Sequence, residues 1–262
     1  MTLFSQYNFL FLFLLFVLAG CTNAEKTYSL SISPYFLNEE VSCDQSIQLH
    51  KQAWNVSQLQ FFIADVEVQN KEGVWKKLVM ATTPFQSNNV ALIGSNCQQS
   101  TAKGNWQLKF NHPLAVEAYN KIRFRLGVPF SLNHLNPLQQ QSPLNVPSMF
   151  WVWRTGHKFL RLELLSADQK SWMFHLGSTG CSASSPVRTP KNACINANLT
   201  TIELPMPTTQ GVAFNLSSLI HELPLNENTS CQSEPESKSC QQLFNRIGLT
   251  GSQVLFEVND EN

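Results

Sequence analysis

Apolar and polar positions alternate along most of this chain in short runs. The stretch "IRFRLGV" (122–128) is the clearest case. Phe124, Leu126 and Val128 fall on one side of it, and Arg123 and Arg125 on the other. A period of two is that of a half-buried strand. The same reading predicts strands over 27–36, 58–69, 75–81, 104–114 and 121–130. It continues over 159–167, 171–177, 200–206, 211–220 and 252–258, with Gly, Pro, Asn and Ser clusters between the runs. Helix is minor: 113–121, behind Pro113, and 240–249. Short strands at regular spacing predict an all-β protein, a β-sandwich with long loops and one or two short helices. The long loops are 131–148, 182–198 and 224–239. Loops of that length are often functional or disordered.

The first twenty residues break the alternation. "FLFLFLLFVLAGC" is a continuous apolar run that ends in small residues and Cys21. It is short for a membrane span, and its small-residue end suits cleavage. "LAGC" resembles the bacterial lipobox, which implies a signal peptide over 1–20 and a lipid on Cys21. The expected organisation is then a tether over 21–30 and a single sandwich domain over 31–262. The chain would sit in the periplasm, lipid-anchored to the inner or outer membrane. An ordinary secretory signal or an uncleaved anchor is the alternative. Without Cys21, six cysteines remain: Cys43, Cys97, Cys181, Cys194, Cys231 and Cys240. An even count in an exported chain argues for a disulfide-stapled fold, although six cysteines allow about fifteen pairings. The expected set is Cys43–Cys97, Cys181–Cys194 and Cys231–Cys240. Thiolate clusters are disfavoured, because no C-x-x-C pair exists.

Composition narrows the function. With 43% hydrophobic residues and 18 Phe, the chain can build a sizeable core. Eighteen basic residues match eighteen acidic ones. A nucleic-acid partner is not expected, because phosphate neutralisation needs a basic surplus. No nucleophile elbow, zinc-protease helix, phosphate loop or dinucleotide fingerprint occurs.

One segment stands out. "MFWVWRTGHKF" (149–159) holds Met149, Trp151 and Trp153 at alternate positions. Read as a strand, it puts all three on one face, either as core or as a soft, oxidisable site. Its neighbours favour the site. Upstream is "VPFSLNH", then "PLNVPSMFWVWRTGHKF"; downstream is "HLGSTGC". In that order and with those gaps, the three stretches resemble the MbnP family, periplasmic copper-binding proteins named for methanobactin operons. The early "FFIADVEVQNKEGVWKKL" also looks like the family's first hairpin.

The resemblance implies a function and a site. Family members bind copper and pair with a MauG-like dihaem oxidase of the MbnH type. That partner oxidises the first Trp of the W-x-W pair to kynurenine, which here is Trp151. Opening the indole would replace a side chain that cannot accept a metal with a ketone and an aryl amine. His134 and His175 fall in the family motifs and are the expected imidazole ligands for one copper ion. Met149, His157 and His50 are further candidates; His157 stands where the pattern carries an aromatic. Asn133 would orient a ligand ring, and Trp153 would neighbour the oxidised residue. The expected role is copper storage, capture or delivery, with the chain as a substrate of the oxidase rather than an enzyme. Two rivals remain at this point: a metal-free scaffold or adhesion lipoprotein, and a copper redox enzyme.

Overall fold

The computed structural model describes residues 28–98, 104–152, 154–185, 187–207 and 211–258. The chain forms two sheets packed face to face. Their strands are β1 (Tyr28–Phe36), β2 (Glu39–Glu40), β3 (Ser46–Leu49), β4 (Gln52–Asn70), β5 (Trp75–Lys77), β6 (Gln86–Ser87) and β7 (Val90–Asn96). They continue with β8 (Gln107–Phe110), β9 (Tyr119–Leu126), β10 (Lys158–Ser166), β11 (Ser171–Gly177), β12 (Thr200–Pro205), β13 (Gly211–Asn215) and β14 (Phe256–Val258). Three short helices join them: α1 (Phe130–Asn133), α2 (Leu216–Ile220) and α3 (Lys238–Arg246).

The smaller sheet runs β14-β13-β1-β2, with β8 also on β1. The larger runs β11-β10-β4-β7-β6, with β9 on the later half of β4 and β12 outside β9. Alternation fixes which side chains face inward. In β1, Leu30, Ile32 and Phe36 are buried. In β9, Ile122, Phe124 and Leu126 are buried while Arg123 and Arg125 pair across the sheet with Glu67 and Asp65. Between the sheets, Phe61 stacks on Phe214 with centroids 4.9 Å apart. Phe256 meets Phe61, Phe124 and Phe214 edge-on at 5.1–5.6 Å. Offset and edge-on pairs of this kind are favoured over face-to-face sandwiches. The β-sandwich read from the pattern is the fold found.

All three disulfides pair as expected: Cys43–Cys97, Cys181–Cys194 and Cys231–Cys240. Among the described residues, no helix is long and apolar enough to cross a membrane.

Several boundaries differ, each for a local reason. The sheet begins at Tyr28, so residues 28–30, expected in the tether, pair with β8 instead. The helix expected over 113–121 is only a 3-10 turn at Val116–Ala118, because Tyr119 already belongs to β9. The strand expected over 211–220 stops at Asn215, whose side chain accepts from Ser218 N and caps α2. Strand β7, "VALIGSN", was not expected: its positions are almost all buried, so it has no alternation to read. Among the described residues, 149–157 lie outside every named strand, and only Lys158 and Phe159 of the segment belong to one, β10. A 3-10 turn spans Pro147–Met149, a bridge joins Phe150 to His157, and the chain reverses between Val152 and Gly156. Gly156 has φ +81°, and a Cβ there would lie 2.3 Å from Asn133 Oδ1. The reversal therefore needs glycine. Met149 and Trp151 accordingly share no strand face.

Candidate metal centre

Strand pairing decides which polar side chains meet. Gln60 of β4 is opposite Arg161 of β10, which is opposite His175 of β11. Gln58, Glu163 and Met173 form the next such row. Cross-strand partners share a face, so these side chains all leave the larger sheet on the side away from the aromatic core. The excursion between β9 and β10 covers that side, which is why Gln58, Gln60 and His175 are buried. Met149 is wholly buried in this cover, with its Sδ 3.8 Å from Gln58 Nε2. Gln58 Nε2 also donates to Gln60 Oε1 at 2.6 Å.

His175 is held at three points. Its Nε2 lies 2.8 Å from Glu163 Oε1, an oxygen that also accepts from Arg161 Nε at 2.7 Å. An ionised carboxylate only accepts, so this contact puts a proton on Nε2 and, in the neutral ring, leaves the lone pair on Nδ1. Nδ1 is buried and has no hydrogen-bond partner among the described residues. Burial pushes the Glu163 carboxyl up, but hydrogen bonds from His175 and Arg161, together with the nearby charges of both, outweigh it and hold the pKa at about 2. The backbone is gripped as well. His175 N donates to Cys231 O at 2.8 Å, and Ser233 Oγ donates to His175 O at 2.9 Å. The same Ser233 Oγ accepts from Gly177 N at 3.0 Å. Ser233 is fully buried with φ +66°, in the loop that the Cys231–Cys240 disulfide closes.

Trp151 packs on Gly177, two positions beyond His175 along β11. Its half-buried indole rests on Gly177: a Cβ there would be 2.7 Å from Trp151 Cζ3 and 2.9 Å from Cε3. Its backbone N donates to Gly156 O at 2.9 Å. The contact with Gly177 places the indole on the face from which His175 projects.

His134 ends α1 and is buried. Its Nε2 is 3.3 Å from Asn133 Nδ2 and 3.6 Å from Cys194 Sγ. Its carbonyl accepts from Thr189 Oγ1 at 2.9 Å. Cys181 and Cys194 lie close to the ring, but their sulfurs are joined to each other and offer no thiolate. Asn133 works in two directions: Oδ1 accepts from His157 N at 2.8 Å, and Nδ2 donates to Thr155 O at 3.3 Å. Asn133 thus touches the His134 ring and ties two loops together.

His157 takes a different position. Its Nε2 faces Leu144 O at 2.9 Å, and its Nδ1 faces Asn133 O and Oδ1 at 3.2 Å. Burial lowers its pKa, against the pull of those two backbone hydrogen bonds. With both nitrogens on oxygens, His157 ties the loops from beneath. His50 stands in the β3–β4 turn, with Nε2 3.1 Å from Leu223 O. Gln52, at that end of β4, is eight strand positions from Gln60, on the order of 25 Å along the strand. The structure does not bring His50 to the site. Trp153 and Cys21 lie outside the described residues.

Among the described residues, no group of three His, Cys, Asp or Glu donors within 4.8 Å of one another contains both His134 and His175. Sequence reasoning missed Glu163, Arg161 and Ser233. The run "FLRLELLSA" does put Arg161 and Glu163 on one face. That His175 stands across from them follows only from register.

Fold and site together define a disulfide-stapled β-sandwich whose covered outer face carries a carboxylate-braced imidazole beside an indole, with a second buried imidazole in the covering loops. The chain belongs to the MbnP family, whose model matches residues 25–233. Among solved structures it is similar to MbnP from Methylosinus trichosporium, with a TM-score of 0.70 and 18% identity over 85% of this chain and 88% of that one. That likeness establishes the fold. A search of the curated proteins finds no match.

Proposed function

We propose that this chain is a copper-binding protein of the periplasm, associated with a methanobactin system and anchored through a lipid on Cys21. Its site takes one copper ion on His134, His175 and Trp151, the last after oxidation to kynurenine by a MauG-like dihaem partner. The observation that carries the reading is the His175 ring. Glu163 sets its tautomer, and the remaining nitrogen is buried with its lone pair uncommitted. Metal-bound histidines typically have this arrangement, with the far nitrogen on a carboxylate. Imidazole suits copper in either oxidation state.

The residues present fit the ion. His175 would offer Nδ1, and His134 the second imidazole. Trp151, whose indole rests on Gly177 on the His175 face, would become the third donor once the indole is opened. Bound copper would supply a redox-active Lewis acid. Arg161 and Glu163 hold the His175 ring, and Asn133 lies against the His134 ring. Met149 is wholly buried in the loop cover, with its Sδ beside Gln58 Nε2. The role that follows is storage, capture or delivery of the metal, with the chain as the oxidase's substrate and not a catalyst.

The test combines mass spectrometry with metal analysis. The chain is co-expressed with its dihaem partner in copper medium. A Trp151 peptide that has lost one carbon and gained one oxygen, with copper near one per chain, is the expected result. His134→Ala and His175→Ala should each abolish tight copper binding and leave the fold intact. Full copper occupancy in both variants would overturn the ligand assignment.

A further inference from the structure

Three loops surround the proposed site and touch one another. The 130–139 stretch meets the 152–156 turn through Asn133 and Thr155. It meets the 182–198 loop through Thr189 and Cys194. Ten large apolar side chains are exposed among the described residues, and six of them lie on these loops. Leu138 is 81% exposed and Ile195 87%, with Leu135, Val152 and Val187 at 48%, 50% and 64%. Phe130, the sixth, is 37% exposed, with its ring against His134. Single exposed apolar residues need no explanation, but a cluster of them marks an interaction site.

Charge on the same loops is one-sided. Residues 127–157 and 177–199 contain no Asp or Glu, in a chain that holds 18. Their cations are Arg154, Arg188 and Lys191. None of these forms an ion pair among the described residues. This end of a neutral molecule is therefore apolar and positive.

We infer that the three loops form the docking face for a redox protein whose own contact surface is apolar at its centre and rimmed with carboxylates. The inference rests on the reading of Trp151 as the oxidised residue, since that side chain shares a small pocket with Leu135 and Pro137 of these loops. Opposite potentials steer encounter and set orientation, while a small apolar centre suffices for a transient redox complex, which buries under about 1,200 Å². A second copy of this face would bring like charges together. An anionic membrane is met by clusters of roughly four to eight cations, and this face has three.

The experiment is calorimetric titration of the full chain with the purified MauG-like dihaem protein at low and high salt. The variants are the triple Arg154→Glu/Arg188→Glu/Lys191→Glu and the double Leu138→Ser/Ile195→Ser, with Lys71→Glu in the β4–β5 turn as control. Circular dichroism verifies that each folds. The charge reversal should weaken binding at least about tenfold and remove most of its salt dependence. The apolar double variant should weaken binding with the salt dependence kept, and the control should bind as wild type. The proposal is overturned if the reversal binds unchanged, or if the wild-type chain does not bind the haem protein. It is equally overturned if the chain self-associates through this face or binds anionic phospholipid vesicles as tightly as it binds the haem protein. Copper is assayed separately. A wild-type chain that docks but takes up no copper retires the copper reading and leaves the docking face standing.

Discussion

At the scale of single residues, Glu163 carries the clearest prediction. Its carboxyl is held at about 2 against an ordinary value of 4.5. A group whose folded pKa is depressed stabilises the fold fully above its unfolded pKa, and that stability is lost as pH falls through the folded one. The window is therefore from about pH 4.5 down to about 2. A shift of this size corresponds to at most about 3 kcal/mol. Urea unfolding at pH 7, 4 and 2.5 should show that loss in the wild type and less of it in Glu163→Gln. Equal acid sensitivity in both would mean that the brace does not hold the charge in solution. The sequence displayed Arg161 and Glu163 as a charged pair on one strand face. It gave no sign that a histidine a dozen residues later completes the set.

At the scale of elements, β11 is the edge strand on which the site is laid out. Its range, Ser171–Gly177, was legible because Trp172, Phe174 and Leu176 alternate with Met173 and His175. What holds the edge was not legible. The Cys231–Ser233 strap stands in for a further strand, joining His175 and Gly177 through Ser233 Oγ. Gly177 gives the indole its seat. Gly177→Ala would put a methyl within 3 Å of two ring carbons of Trp151 and of His157 O. Overpacking of this kind costs about 1–3 kcal/mol. Trp151 should move, and its fluorescence and its conversion by the dihaem protein should both change while the β-sheet circular dichroism is kept. Conversion at the wild-type rate would show that the indole's seat is irrelevant to its oxidation. Segment 149–159 shows the limit of periodicity. A loop that covers a sheet has a buried side of its own, so it can mimic alternation. Pro147 and Gly156 were the signals that it turns.

At the scale of the molecule, the three disulfides divide the work by loop length. Cys43–Cys97 spans 54 residues, Cys181–Cys194 13 and Cys231–Cys240 9. In the chain-entropy account, the longest closure contributes about 4 kcal/mol and the two short ones about 3 each. Replacing Cys43 and Cys97 by Ser should thus cost the most global stability in denaturant unfolding. The Cys231–Cys240 pair should cost less, with its damage concentrated at His175. The reverse ranking would show that the short loops stabilise by more than entropy.

The sequence by itself determined the sandwich, because alternation reports burial one strand at a time. It signalled a disulfide-stapled fold through an even cysteine count, while the pairing itself, one of about fifteen allowed, belongs to the folded chain. Ordered motifs carried the family and pointed to His134, His175 and Trp151. Tertiary structure alone decided what surrounds those three. Register in the β10–β11 hairpin sets Glu163 against His175. Register between β4 and β10, about a hundred residues apart, brings Gln58 and Gln60 onto the same face, and no local pattern encodes that. Loop packing buries Met149 in the cover beside Gln58 and leaves His157 between carbonyls. It also gathers the apolar and cationic residues of three separate segments at one end of the molecule, where only the folded chain makes them neighbours.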